Sequence, residues 1–347
     1  MTRRRLLLWI LSLLLAGVFL YFFLRGAHLG RVLEYAREAT WPLLVAAVAF
    51  EVASIVLRAY RWGVLLRPSA GRKIRMAPLL KATTVSFAIT GVMPGRVGEI
   101  AKPLLLARWE GLSFAALAGS VVLERVLDLF AIVALWAVYV FFGGRGLGPE
   151  AQRVATDVNR VSYVLILIMV AVGFFAWWLA PRRKLLDRWT RRHHALERYP
   201  FVRKLLSLFF KFSEGLESFR RKRTILYLLF LSIATWGAVV ASAWLFLEAL
   251  HLQLPWEASI LLLVFISIGA AVPTPGGIGG VHKAIAWALT AFYGVDEDYA
   301  VAAGFLGHAV LFFPSIIWGI GYIVLGRVHI GEIRAAAEES EVKKTGS

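Results

Sequence analysis

The 347-residue chain contains no cysteine, which excludes disulfides, iron–sulfur clusters and thiolate nucleophiles. Charge is scarce too, at 18% of residues, and its acidic part is scarcer: 22 Asp and Glu stand against 39 Lys and Arg, for a net of +17. Soluble domains carry about 25% charged residues. No Walker-type Gly-x-x-x-x-Gly-Lys-Ser/Thr occurs, so no ATPase of its own is expected. His28, His193, His194, His251 and His329 sit at or beyond the ends of apolar runs, which leaves no metal-ligand cluster, and no cofactor is expected. Apolar residues are plentiful instead, at 59% of the chain, with a mean hydropathy of +0.69. Lipid, not water, is the solvent these values fit.

A membrane span needs about 20 mostly apolar residues. Residues 6–24 qualify, preceded by Arg3-Arg4-Arg5 and followed by no small-x-small cleavage site, so they read as a retained first span rather than a signal peptide. Further spans are expected at 42–57, 113–142, 161–180, 224–249 and 299–325, six in all. Two apolar stretches fall short. Residues 77–92 stop at Met93-Pro94-Gly95, and residues 258–272 stop at Pro273-Thr274-Pro275-Gly276-Gly277. Each reaches roughly 22–24 Å, less than the ~30 Å hydrocarbon core. Each is followed by a second short helical stretch, 96–109 and 278–293, so the expected fold is all-α and polytopic, with six full transmembrane helices and two re-entrant helical hairpins. Broken backbone at that depth survives only where protein or a wet cavity covers it.

With the N-terminus in the cytoplasm, 28 of the 39 Lys and Arg fall inside and six outside. That positive-inside bias puts both termini in the cytoplasm of an inner or plasma membrane protein. Segment 181–223 alone holds 14 Lys and Arg against 4 Asp and Glu. Leu205, Leu208, Phe209, Phe212, Leu216 and Phe219 recur in it at helical spacing. It reads either as a helix lying on an anionic membrane face or as a solvated cytoplasmic linker. No separate domain is there to carry nucleic acid, and no nucleic-acid partner is expected.

The two breaks align. Pro94-Gly-Arg-Val-Gly-Glu-Ile-Ala-Lys102 and Pro275-Gly-Gly-Ile-Gly-Gly-Val-His-Lys283 share four identities in nine positions, half a chain apart. Either two Gly/Pro loops coincide, or the chain is one membrane domain, 1–326, made of inverted halves, 1–142 and 161–326, followed by a tail, 327–347. Inverted repeats with broken helices build midplane substrate sites in many transporters. The half-helix after each Pro-Gly has unsatisfied N–H groups and a positive dipole end, and glycine lets a ligand oxygen approach the backbone. An anion site is therefore expected at Gly95, Gly98, Gly276, Gly277 and Gly279, served by Arg96, Lys102 and Lys283. Arg96 suits a phosphate best because its planar fork can grip two oxygens.

The other intramembrane charges are expected around that site. Glu124 and Asp128 share a helix face at i, i+4, and Arg125 reaches Asp128 at i, i+3. With Glu99 and Lys81 they form a charge network that either balances the ligand or merely locks helices together. His282 and His308 either couple transport to protons, titrating near ~6.5, or are small polar residues packed in a bundle.

Pro94-Gly-Arg-Val-Gly-Glu99, then Leu123-Glu124-Arg125-Val-Leu-Asp128, then Pro275-Gly-Gly-Ile-Gly279 resemble the lysylphosphatidylglycerol synthase transmembrane family, the flippase-like domain, in order and spacing over roughly residues 5–326. The resemblance implies a membrane protein that moves a lipid or lipid-linked headgroup between leaflets, with Arg96, Glu99, Glu124, Arg125 and Asp128 at the family's charged positions. The family's synthases add a large soluble aminoacyl-transfer domain; here about 21 residues follow the last span, so synthase activity is not expected. His282 and His308 stand where the resemblance implies an acidic residue and an Arg.

The expected function is thus a flippase for an anionic or polyprenyl-phosphate-linked lipid, with the bilayer as its partner and a homodimer left open. The alternative is a membrane enzyme or accessory protein acting on a lipid-linked sugar, and a third is a scaffold binding anionic lipid through 181–223.

Overall fold

The computed structural model describes residues 28–93, 97–142, 222–272 and 274–325, with isolated positions between 14 and 21 and between 153 and 167. The expected spans 6–24 and 161–180, the break at 94–96, nearly all of segment 181–223 and the tail 327–347 lie outside the described residues. Among the described residues every regular element is helical: α1 (Leu29–Glu38), α2 (Trp41–Ala70), α3 (Met76–Val92), α4 (Val97–Glu110), α5 (Phe114–Phe142), α6 (Lys222–Ala249), α7 (Glu257–Gly269), a single 3-10 turn (Pro275–Gly277), α8 (Gly280–Tyr293) and α9 (Glu297–Val324).

Local chemistry sets these bounds. Pro42 lies in the first turn of α2, where a missing N–H costs nothing. The helix closes on Gly71 at φ +63°, whose N–H bonds the Arg67 carbonyl at 3.1 Å. At the start of α9 the Asp296 carboxylate accepts from the Tyr299 N–H at 3.2 Å, and Glu297 and Asp298 complement the dipole.

Trp41–Arg67, Arg223–Ala249 and Glu297–Val324 are long and apolar enough to cross a membrane. Helix α5 is as long, at 29 residues, and holds Glu124, Arg125 and Asp128. The span expected at 42–57 needs correction. Helix α2 runs on to Ala70, so Arg58 and Arg61 belong to the helix, not to a cytoplasmic loop. Nothing between Leu57 and Pro68 breaks a helix, and both arginines find carboxylates inside the bundle.

Two apolar cores lie at opposite ends of the long helices. One packs Trp62, Leu66 and Leu79 with Leu106, Leu117 and Val121. The other packs Ala47, Trp136 and Tyr139 with Phe246, much of α7 and α8, and the first half of α9. Between them, α2, α5 and α6 present Glu51 to Arg61, Glu124 to Asp128, and Ser232 to Trp236, all near the helix middles. The polar layer is therefore central.

Helices α3 and α4 pair tightly. The Ser86 hydroxyl donates to the Gly98 carbonyl at 2.8 Å, and a Cβ at Gly98 would overlap the Ser86 backbone. The outer ends of this pair meet where Arg72 bonds Glu110 at 2.7 Å, beside the start of α5. Helices α7 and α8 pair through Gly269 and Gly280, each lacking room for a side chain against the other's carbonyl. Their outer ends, Glu257 and Tyr293, lie beside Tyr139 near the far end of α5. The inner ends touch, since a Cβ on Gly276 would sit 3.1 Å from the Gly91 carbonyl oxygen.

Candidate functional site

Where the inner ends meet, a cavity of about 420 Å³ opens against α2, α5, α6 and α9. Thr90, Gly91 and Glu99 line it from the first helix pair, and Ser267, Thr274, Gly276 and Gly277 from the second. Glu51, Arg58, Arg125, Asp128, Trp236 and Ser315 add polar groups from the long helices, between apolar walls such as Phe87, Leu263 and Phe312. Few convergent polar groups in an apolar cleft are what a ligand site requires.

Asp128 organises the charge. Its Oδ1 accepts from Arg61 at 2.6 Å and from the Trp236 indole at 3.2 Å. Its Oδ2 faces Arg58 at 3.3 Å and Arg125 at 3.5 Å. Three guanidinium groups thus share one carboxylate, and two of them, Arg58 and Arg125, line the cavity. Arg61 is fully buried and is also held by Ser232 at 3.0 Å, with Glu124 at 4.0 Å. Arg125 is held loosely: Glu124 lies 3.9 Å away, its side chain is 41% exposed, and its Nε has no hydrogen-bond partner. Glu51 and Thr274 each bury an oxygen without a hydrogen-bond partner beside the cavity. Buried polar atoms are seldom left so.

The sequence-expected residues divide. Glu99, Arg125, Asp128, Gly276 and Gly277 come together at the cavity. Lys102 and Glu124 form a buried pair at 2.6 Å behind it, with the ammonium 4.4 Å from the Trp62 ring centroid. Lys81 stands over the Trp109 ring at 4.3 Å. Lys283 is exposed, and Gly98 is used for helix packing; neither lines the cavity. Gly95 and Arg96 lie outside the described residues. His282 and His308 stand behind the second break, rings 4.6 Å apart. The Gly279 N–H donates to His282 Nδ1 at 3.2 Å, and His308 Nε2 lies 2.8 Å from the Gly276 carbonyl, to which it can only donate. Both histidines thus hold backbone at the turn. Gly279 at φ +83° begins that cap without lining the cavity.

Sequence reasoning missed Arg58, Arg61 and Trp236. The arginines were legible in principle, because Arg58 and Arg61 repeat at i, i+3 on a helix that has no stop signal before Pro68.

A family model, the lysylphosphatidylglycerol synthase TM region, matches residues 9–319. The chain is 24% identical over 336 residues to glycosyltransferase AglD of Haloferax volcanii, covering 90% of this chain and 53% of that protein. It is 22% identical over 232 residues to the UPF0104 membrane protein MJ1078 of Methanocaldococcus jannaschii, covering 67% of this chain and 91% of that one. The chain thus spans about half the length of the glycosyltransferase. Together with the long apolar helices, the family match makes this a multi-pass membrane protein.

Proposed function

Because the chain belongs to the lysylphosphatidylglycerol synthase TM region family, we propose that it moves an anionic lipid, or a headgroup linked to a polyprenyl-phosphate-type lipid, between leaflets. The observation that carries this reading is Asp128 shared among three guanidinium groups at the edge of a mid-bundle cavity. Arg58 and Arg125 turn their guanidinium groups onto the cavity, beside Glu51 and Glu99, and in this reading they take the phosphate. Arg forks suit phosphate oxygens. Charges at mid-bilayer cost about 2.5–3.5 kcal/mol each on the insertion scale, so a chain that keeps them uses them.

In this reading six helices cross the membrane and the pairs α3–α4 and α7–α8 are re-entrant hairpins from opposite sides, forming an inverted repeat within one domain. It is supported by outer ends at opposite ends of α5, about 43 Å apart at 1.5 Å per residue, and inner ends in contact. Both termini are cytoplasmic, in the inner membrane. The phosphate lies between Arg58, Arg125 and the Gly276-Gly277 turn, with Arg96 as a further ligand. The protein acts as a transporter, not as an enzyme.

A second reading is favoured by the AglD match: a membrane enzyme or accessory protein acting on a lipid-linked sugar. Proteoliposomes with fluorescent phosphatidylglycerol or a polyprenyl-phosphate sugar decide between them. Movement of the probe to the other leaflet supports transport; chemical turnover without movement supports the second reading.

A further inference from the structure

A second cavity, of about 350 Å³, lies away from the central one, where α2 ends and α3 begins. It arises from the turn at Gly71. The positive φ there folds the chain back, so that Lys73 and Arg75 come round to Arg67 on the last turn of α2. All three line the cavity, all three are exposed, and among the described residues no Asp or Glu lines it. Among the described residues none of the three has an ion-pair partner, whereas the neighbouring Arg72 is paired with Glu110 at 2.7 Å. Three like charges on one small cavity repel one another. They gain most from an anion placed among them.

The rest of the lining is apolar, with Val64, Ile74 and Leu79 as its wall. Tyr60 stands at its rim with its hydroxyl accepting from Tyr227 at 2.9 Å. The depth is also informative: the apolar span Trp41–Arg67 ends at this cavity. Cations at headgroup level above an apolar wall match a lipid that has a negative headgroup and an acyl chain. Basic pockets between helices bind acidic headgroups in this way.

We infer that Arg67, Lys73 and Arg75 bind the phosphate of an anionic phospholipid, whose acyl chain runs along Val64, Ile74 and Leu79. This site is separate from the central cavity and holds its lipid in place without moving it. It does not rest on the transport reading.

The full chain in nanodiscs of equal phosphatidylglycerol and phosphatidylcholine, examined by native mass spectrometry, tests the site. The wild type retains phosphatidylglycerol in preference. Arg67→Gln, Lys73→Gln and Arg75→Gln each lower that retention by about fivefold, since each removes one cation at the membrane surface. Arg72→Gln, in the same loop, leaves it unchanged, and Arg67→Lys restores it, which separates a lost site from a lost fold. Equal loss in Arg72→Gln, or equal retention of phosphatidylcholine, overturns the inference. Displacement of the lipid by millimolar glycerol 3-phosphate also overturns it, because the site would then read the anion without the chain.

Discussion

Arg61 donates to Asp128 at 2.6 Å with its own side chain shut off from solvent, and the same carboxylate also faces Arg58 and Arg125. Removing one partner of a buried pair costs about 3–5 kcal/mol. Asp128→Asn removes the carboxylate nearest all three guanidinium groups at once, leaving Arg61 and Arg125 with Glu124 at 4.0 and 3.9 Å. Its loss of stability should therefore exceed that of Arg58→Gln, which removes one of three. Thermal unfolding in detergent gives the order, and equal losses would contradict a shared carboxylate.

Lys102 and Glu124 make the second buried pair, at 2.6 Å, and neither lines the central cavity. Well-packed neutral residues can replace such a pair at little cost, whereas one survivor is an uncompensated charge. Lys102→Met alone should destabilise by about 3 kcal/mol, and Lys102→Met with Glu124→Gln should recover most of that. Lipid movement should persist in the double variant. Its disappearance from a stably folded double variant would restore Lys102 as a ligand.

At the second break, His282 accepts a bond from the Gly279 N–H, and His308 donates to the Gly276 carbonyl. The turn therefore needs an acceptor at position 282. Lipid movement should survive in His282→Asn, whose amide oxygen accepts the same N–H, and fall in His282→Phe, which cannot accept it. His308 lies beside it, 4.6 Å away by ring centroid. His308→Gln, which still donates, should outperform His308→Phe. Equal lipid movement in His282→Asn and His282→Phe would remove the histidine from the account.

Much of the bundle was legible because proline and glycine punctuate it. The stops at Met93-Pro94 and at Pro273 to Gly277 fix where α3 and α7 end, and the apolar run from Phe114 fixes α5 within a residue. The end of α2 was not, because Arg58 looks like a return to water until its carboxylate, 70 residues away, is in view. The site shows the same limit. Glu124 and Asp128 declare a common face by their spacing, but which cations meet them depends on how α2 and α4 are laid against α5. The equal spacing of Lys102 and Lys283 from their prolines could not say which face of each half-helix is covered; one lysine is buried and the other exposed.

Arg125 and Arg61 share Asp128 but should fail in opposite ways. Arg61 is buried, bonded at 2.6 Å and further held by Ser232, so Arg61→Gln should lower the unfolding temperature. The contacts of Arg125 are longer, 3.5 Å to Asp128 and 3.9 Å to Glu124, and its side chain is 41% exposed. Both its carboxylate partners keep a nearer cation, Lys102 at 2.6 Å on Glu124 and Arg61 at 2.6 Å on Asp128, so Arg125→Gln should cost less stability than Arg61→Gln. Its Nε lacks a partner and its guanidinium lines the cavity, so the same change should reduce lipid movement at least about tenfold, the cost of a charge-assisted hydrogen bond of roughly 1.5–3 kcal/mol. Arg125→Lys keeps the charge without the fork and should restore part of the rate. Proteoliposome flipping and detergent melting, read on the same preparations, give both axes. If Arg125→Gln instead melts early and moves lipid normally once corrected for folded protein, Arg125 is a helix lock, and the anion is held elsewhere in the cavity.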